Sequence, residues 1–447
     1  MRLPLYFVAM LILNASIALM PWGSAYLSLA IALTYLTFRP TRVLHPNNML
    51  FAFYGLYVIL SSTLNLTLSL INWEYVLPWG QQLFWDTFSR YTLFQCEFTF
   101  LVLFFGFHMF SKEAPARIVA PTQDHAVVRD DLLAVLYVIT FATVVWYIEV
   151  TAGLSAWLND YSFTYLTKRE GHGLLNVVTI VLGNIVVFLL GLKIYQSPRK
   201  MALIGWSLLI MVALSFIDGV KSRFIFLLIL LLSPYFMTMR LRLGVLAAVT
   251  VSFFVLLYLG TLVRTEGFYA SAPFFLEMLV GYFNAFQLHD WIVTSRDPAL
   301  FQTVGMVFTK PMQIFGIMPP DANFDISVML TKEFFPKQWD DEHATQQWPL
   351  DTELYLNYYG FYLSWLPLLA YSLFVSWLYR LAVLRRYLAI MPIFIMEFQR
   401  IFSTMRGTLV PWEVFIYIAQ YVLIYVACRQ VIRSGPKPSR ARELAHA

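Results

Sequence analysis

Residues 174–196 read LLNVVTIVLGNIVVFLLGLKIYQ and carry one charged side chain, Lys193. A helix rises about 1.5 Å per residue, so ~20 apolar residues cross a hydrocarbon core of roughly 30 Å. This stretch therefore reads as a transmembrane helix. Stretches of the same kind recur on both sides of it, near 3–20, 22–38, 50–72, 89–111 and 131–152 before it, and near 201–218, 222–239, 243–263, 361–379, 387–404 and 411–430 after it. The first follows a single Arg2 and has the look of a signal peptide, but similar runs succeed it throughout, so it is read as the first span.

Composition agrees. Hydrophobic residues make up 59% of 447 positions, charged residues only 13%, and mean hydropathy is +0.65, against about 25% charged residues in an ordinary soluble domain. The 39 Phe, 26 Tyr and 13 Trp suit a lipid-facing exterior and interfacial belts. A net charge of +5 with pI near 9.0 comes mainly from the turns between apolar runs and from the tail, a pattern of membrane orientation and not of nucleic-acid binding. Cys96 and Cys428 each fall inside an apolar run and read as small packing residues.

The expected fold is an all-α polytopic integral membrane protein of about twelve transmembrane helices. Arg39 and Arg42, Lys112 with Arg117 and Arg129, Arg199 and Lys200, Arg240 and Arg242, and Arg380 with Arg385 and Arg386 occupy alternate turns. They mark the cytoplasm, and the basic tail agrees, so both termini are expected inside. The division is 1–263 for nine helices, 264–360 for a long periplasmic loop, 361–430 for three helices and 431–447 for the tail.

Three stretches on the outside are not tight turns: Trp73 to Arg90, Leu154 to Gly173, and Arg264 to about Tyr359. A loop as long as the third is usually functional or disordered, and its Phe and Trp content points to order. Within it, Phe274 to Trp291 is apolar but interrupted by Glu277, Asn284, Gln287, His289 and Asp290, which predicts one amphipathic helix at the interface. No internal repeat stands out, which weighs against a transporter of inverted halves.

P-loop, Rossmann and Gly-x-Ser-x-Gly signatures and metal-ligand spacings are absent. The run Asp340-Asp341-Glu342-His343 offers carboxylates to a hard cation, but four adjacent side chains cannot all face one ion, and an exposed acidic turn is the simpler reading. More informative is a set of outer cations: Lys168, Arg169, Lys221, Arg223, Arg264 and Arg406. Guanidinium stays charged and matches phosphate oxygens bidentately. Several at one membrane face would form a pocket for an anion presented by a lipid. The bland alternative is that each snorkels to headgroups or pairs with an acid, as Lys221 with Asp218.

The best carboxylate is Glu353, which shares a helix face with Asn357 at i and i+4. Such a pair can hold or deprotonate a sugar hydroxyl, although capping or a salt bridge are ordinary uses too. His343, Asp341 and Asp351 are rival bases. Glu97 and Glu397 lie within spans, where acids are costly and mark function or structural pairing, for example Glu397 with Arg400.

Three local features are similar to the Wzy-type O-antigen and oligosaccharide repeat-unit polymerases. The first is the turn Gly219-Val220-Lys221-Ser222-Arg223 running directly into a span. The second is Thr352-Glu353-Leu354-Tyr355-Leu356-Asn357-Tyr358-Tyr359-Gly360, like the family's Glu-x-Tyr-x-Asn-Phe-Gly but with Tyr for Phe and an extra Tyr before the glycine. The third is Ser403-Thr404-Met405-Arg406-Gly407-Thr408-Leu409, like the family's Arg-Gly-Ser-Leu turn. The order of spans and the one dominant loop extend the likeness over most of the chain.

The resemblance implies a glycosyltransferase-C-like enzyme of the bacterial inner membrane that uses neither metal nor cofactor. It would move a glycan from undecaprenyl pyrophosphate to the sugar end of another lipid-linked repeat unit. Arg223, Arg264, Arg406, Arg169 and Lys221 would bind the pyrophosphate, Glu353 or His343 would be the base, and Asn357 with Tyr355 would hold the acceptor. The aromatic loop would cover the sugars. Partners would be the lipid-linked oligosaccharide, membrane lipid and a chain-length-regulating co-polymerase. O-antigen ligases share this topology and remain an alternative, as does a secondary transporter or lipid-linked glycan flippase.

Overall fold

The computed structural model describes residues 2–17, 23–73, 88–111, 126–161, 164, 168, 171–197, 201–218, 221–264, 271–283, 285–303, 305–319, 325–342, 345–409 and 414–434. Over these the chain is mostly helical, and a helix stands at each position where a span is expected. In chain order they begin with α1 (Arg2–Ile17), α2 (Gly23–Thr37), α3 (Pro46–Leu70) and α4 (Arg90–Met109). After a short strand β1 (Ala126–Val128) come α5 (Asp130–Thr151), the short α6 (Gly153–Asn159), α7 (Gly173–Gln196), α8 (Met201–Asp218), α9 (Lys221–Phe236) and α10 (Leu243–Arg264).

Among the described residues, eight helices are long and apolar enough to cross a membrane: α3, α4, α5, α7, α8, and, after the long loop, α17 (Phe361–Leu384), α18 (Leu388–Met405) and α19 (Val414–Val431). This is the architecture of a multi-pass helical membrane protein. The count of about twelve is met only in part. Helices α1, α2 and α9 are shorter, and α10 has an apolar stretch of only Leu246–Leu259. For α2 the C-terminal limit is local: it ends at Thr37, two residues before Arg39-Pro40, and the residue before a proline is driven out of the helical region.

The chain divides into two compact units, Met1–Lys112 with Arg240–Trp377 and Arg400–Val414, and Glu113–Met239 with Leu378–Gln399 and Phe415–Ala447. In the first, α4 is mostly buried, polar residues Thr92, Gln95, Glu97 and Thr99 included. Gly106 lets α17 close on it, since a Cβ there would stand 1.9 Å from Ser372 Oγ.

In the second unit α7 is the buried centre. A Cβ on Gly191 would meet the Leu231 carbonyl of α9 at 2.1 Å, and one on Gly183 would meet the Leu214 side chain of α8 at 2.6 Å. Without a hydrophobic drive between helices in lipid, such small residues allow the close backbone approach that holds a bundle. The lone charge of this span, Lys193, pairs with Asp130 at the start of α5 at 2.5 Å. Strand β2 (Ile432–Ser434) pairs antiparallel with β1.

The long loop is ordered helix. It holds α11 (Ala272–Tyr282), α12 (Ala285–Ser295), α13 (Met306–Ile314), α14 (Ile326–Phe334), α15 (Pro336–Glu342) and α16 (Leu350–Asn357). Leu288 and Ile292 of α12, Ile326 and Leu330 of α14, Trp348, and Leu356 of α16 form its core. The expected single interfacial helix over Phe274 to Trp291 is instead two helices. The Phe283 N–H caps the Leu279 and Val280 carbonyls and the chain turns. Helix α12 is not laid on a surface, because Phe286, Gln287, Leu288 and His289 are all buried. Two of its polar side chains meet protein groups: Asp290 accepts from the Ser89 amide at 2.8 Å, and His289 Nδ1 lies 3.2 Å from Thr352 Oγ1.

Candidate functional site

Helix α16 opens after Pro349, whose ring suits an extended residue at a helix start, and every residue from Leu350 to Asn357 is buried. Asp351 and Glu353 sit in its first turn, where the unsatisfied N–H groups favour negative charge. Glu353 Oε2 accepts a hydrogen bond of 2.6 Å from the Leu409 amide. That amide belongs to the turn Arg406-Gly407-Thr408-Leu409, which forms where α18 ends and Arg406 N–H and Gly407 N–H donate back to the Ser403 and Thr404 carbonyls.

Two of the three motifs are therefore joined by a hydrogen bond, although 56 residues separate their bonded members. Burial pushes the Glu353 carboxyl up to about 8, with the Leu409 amide pulling it down and Asp325 adding to the rise. At pH 7 about a tenth of it is then ionised, which suits proton exchange near neutrality.

Arg406 is half-buried, and its Nε is enclosed without a hydrogen-bond partner. An enclosed guanidinium N–H lacking an acceptor is costly and is ready to receive an oxyanion. Arg406 lies within electrostatic range of Tyr57, whose hydroxyl donates to Gln347 Oε1 at 2.9 Å. Aromatic rings continue from there: Tyr57 stacks on Phe53 at 4.6 Å, and Phe283 and Phe402 meet Tyr57 edge-on at 5.2 and 6.2 Å. Among the described residues no ion pair joins Arg406 to Glu353.

The rival base Asp351 accepts from Thr99 Oγ1 at 2.7 Å, while its carbonyl accepts from Gln95 Nε2 at 2.7 Å. Burial raises it to about 7, against the Thr99 hydroxyl, which lowers it. These bonds tie α16 to α4. Asn357 is held in the fold as well: its Oδ1 accepts from Thr303 N–H at 2.8 Å and its Nδ2 donates to Thr303 Oγ1 at 2.7 Å. Tyr355 donates its hydroxyl to the Arg296 carbonyl at 2.8 Å. The two residues expected to hold an acceptor thus brace the loop.

Arg223, in the second unit, stands 3.4 Å from Asp218 through Nε and donates to Asn184 Oδ1 of α7 at 2.9 Å. The pairing of Asp218 with Lys221 considered from sequence falls on a side chain outside the described residues; Asp218 pairs with Arg223. Lys221 opens α9 and Arg264 closes α10, and the side chains of both lie outside the described residues, as do Arg169 and His343 altogether. Among the described residues no three His, Cys, Asp or Glu side chains gather as metal ligands. Glu397 receives a hydrogen bond from the Tyr421 hydroxyl.

Tyr57, Gln347, His289 and the Leu409 amide were not singled out from sequence. A backbone amide leaves no compositional signal. His289 had one, as a titratable side chain in an apolar run; it is buried, its Nε2 has no partner, and burial lowers it to about 3, so it is neutral. Compared with protein-family models, curated proteins and solved structures, the chain matches none.

Proposed function

We propose that this chain is a metal-independent glycosyltransferase that moves a glycan from undecaprenyl pyrophosphate to the sugar end of another lipid-linked repeat unit, building O-antigen or a related surface polysaccharide at the outer face of the inner membrane. The observation that carries the reading is the Glu353–Leu409 hydrogen bond, which holds a proton-exchanging carboxylate beside the turn that bears Arg406. Glu353 takes the proton from the acceptor hydroxyl as that oxygen attacks the anomeric carbon. Arg406 meets the negative charge that grows on the departing pyrophosphate, a form of stabilisation that is often the largest in catalysis. Arg223, bonded to Asp218 and Asn184, acts here by ordering the start of α9.

Arg406→Ala and Glu353→Gln, each made in the full chain, test this reading. Both should abolish polymer while the protein stays in the membrane at its normal amount. Near-normal polymer from both would overturn it.

A further inference from the structure

Within the long loop, residues 301–317 expose large apolar side chains in series. Phe301 is 64% exposed, Phe308 50%, Phe315 76% and Ile317 72%. Phe308 and Phe315 are seven residues apart, on one face of α13 and its C-terminal cap, while Thr309 is buried. Turns in the left-handed region stand at both ends of the stretch, Phe301 with φ 56° and Gly316 with φ 68°. That conformation is strained for an aromatic residue. It holds at Phe301 because the backbone is strapped on both sides.

The strap sets the depth of this stretch. Ala299 N–H donates to the Tyr355 carbonyl at 3.0 Å, Phe301 N–H to the Asn357 carbonyl at 3.1 Å, and Tyr359 N–H to the Ala299 carbonyl at 2.9 Å. Residues 355–359 lead directly into the span α17, so the strap lies at the level where that span begins. The exposed surface also continues onto it. Tyr359 and Tyr362 have ring centroids 5.9 Å apart, and both are exposed, as are Leu363 and Leu366 along the outward side of α17.

We propose that residues 299–317 are a membrane-surface element whose Phe301, Phe308, Phe315 and Ile317 seat in the lipid leaflet at the start of α17. The occupant of this surface is the bilayer interface, because the patch is continuous with the lipid-facing side of a span and shares its depth. Large apolar side chains such as Phe on a surface-lying element bury at the headgroup–acyl boundary. Through the Ala299 and Phe301 bonds and the Asn357–Thr303 clamp, the seat fixes the depth of α16 and therefore of Glu353. This inference stands apart from the reaction and holds for any activity at α16.

The test uses the full chain with buried Cys96 and Cys428 replaced by Ala, reconstituted in phosphatidylethanolamine/phosphatidylglycerol vesicles. Nitroxide labels are placed singly at 301, 308, 315 and 317, with a reference at exposed position 341 on α15. Oxygen should relax the four labels several-fold more than a water-soluble nickel chelate does, with the reverse order at 341. Chelate access at the four equal to that at 341 would overturn the proposal. Shielding from both reagents would overturn it too, because protein and not lipid would then cover the patch.

Discussion

Leu409 donates its backbone N–H to the Glu353 carboxylate at 2.6 Å, so a turn at the end of α18 grips the buried first turn of α16. A backbone donor survives every substitution except proline and cannot rotate off its acceptor as a side chain can. The carboxylate therefore keeps Oε2 engaged, while burial holds its proton up to about 8. The geometry places Arg406 three residues from the donor, on the same turn.

In the proposed reaction the ionised form of Glu353 is the one that takes the proton, so transfer should rise with pH through about 8. General-base catalysis contributes about 10²- to 10⁴-fold, and Glu353→Gln, which can still accept from Leu409, should lose on that order and flatten the profile. Rates in membrane vesicles between pH 6 and 9 check this. A carboxyl raised in the folded state keeps its proton where the unfolded chain has lost it, so this group's contribution to stability declines as pH rises from the ordinary carboxylate range to about 8. Glu353→Gln should reduce that slope in the thermal unfolding of the purified protein, leaving the part that Asp351, raised to about 7, contributes.

Asn357 braces the loop through two bonds to Thr303. Asn357→Ala leaves buried donors and acceptors without partners and should cost about 1–3 kcal/mol. Hydrogen exchange should quicken over 299–303, where the backbone pairs with α16. Unchanged exchange there would show that the clamp contributes nothing.

Gly191 and Gly205 make a matched pair. Gly191→Ala brings a Cβ to 2.1 Å from the Leu231 carbonyl, whereas Gly205→Ala on α8 meets nothing within 4 Å. The first should destabilise by about 1–3 kcal/mol through forced separation of α7 and α9. The second should be neutral or stabilising by about 0.5–1 kcal/mol, from the better helix propensity of Ala. Thermal unfolding in detergent distinguishes the two.

Arg223 holds Asp218 and Asn184 together at the turn between α8 and α9. Both charged side chains are largely buried, so Asp218→Asn should destabilise by about 1–3 kcal/mol by leaving the guanidinium without its counter-ion. Arg223→Lys should recover little, because an ammonium lacks the fork that reaches two acceptors at once. Unfolding midpoints of the two variants measure this.

Helix positions were legible because burial in lipid requires apolar runs, and every expected span has a helix behind it. Length was less legible: α9 gives way to a turn after Phe236, short of the expected end at 239, which hydropathy averages conceal. The break at Phe283 was hidden for a related reason, since residues 274–291 have a helical pattern throughout and only packing shows that α12 dives inside. At the site, Glu353 and Arg406 stood out as charges among apolar neighbours. Their link did not, because it runs through the main chain of Leu409. Asn357 looked free for a ligand from its spacing with Glu353, but its partner Thr303 lies 54 residues away.

Gel separation of surface polysaccharide after deletion of the gene tests the proposed lipid-linked glycan transfer. Loss of long chains with single repeat units retained is the predicted pattern, restored by the full chain but not by Arg406→Ala. Complete loss of glycan from the lipid core would assign a ligase instead, and an unchanged ladder would rule out lipid-linked glycan transfer by this chain.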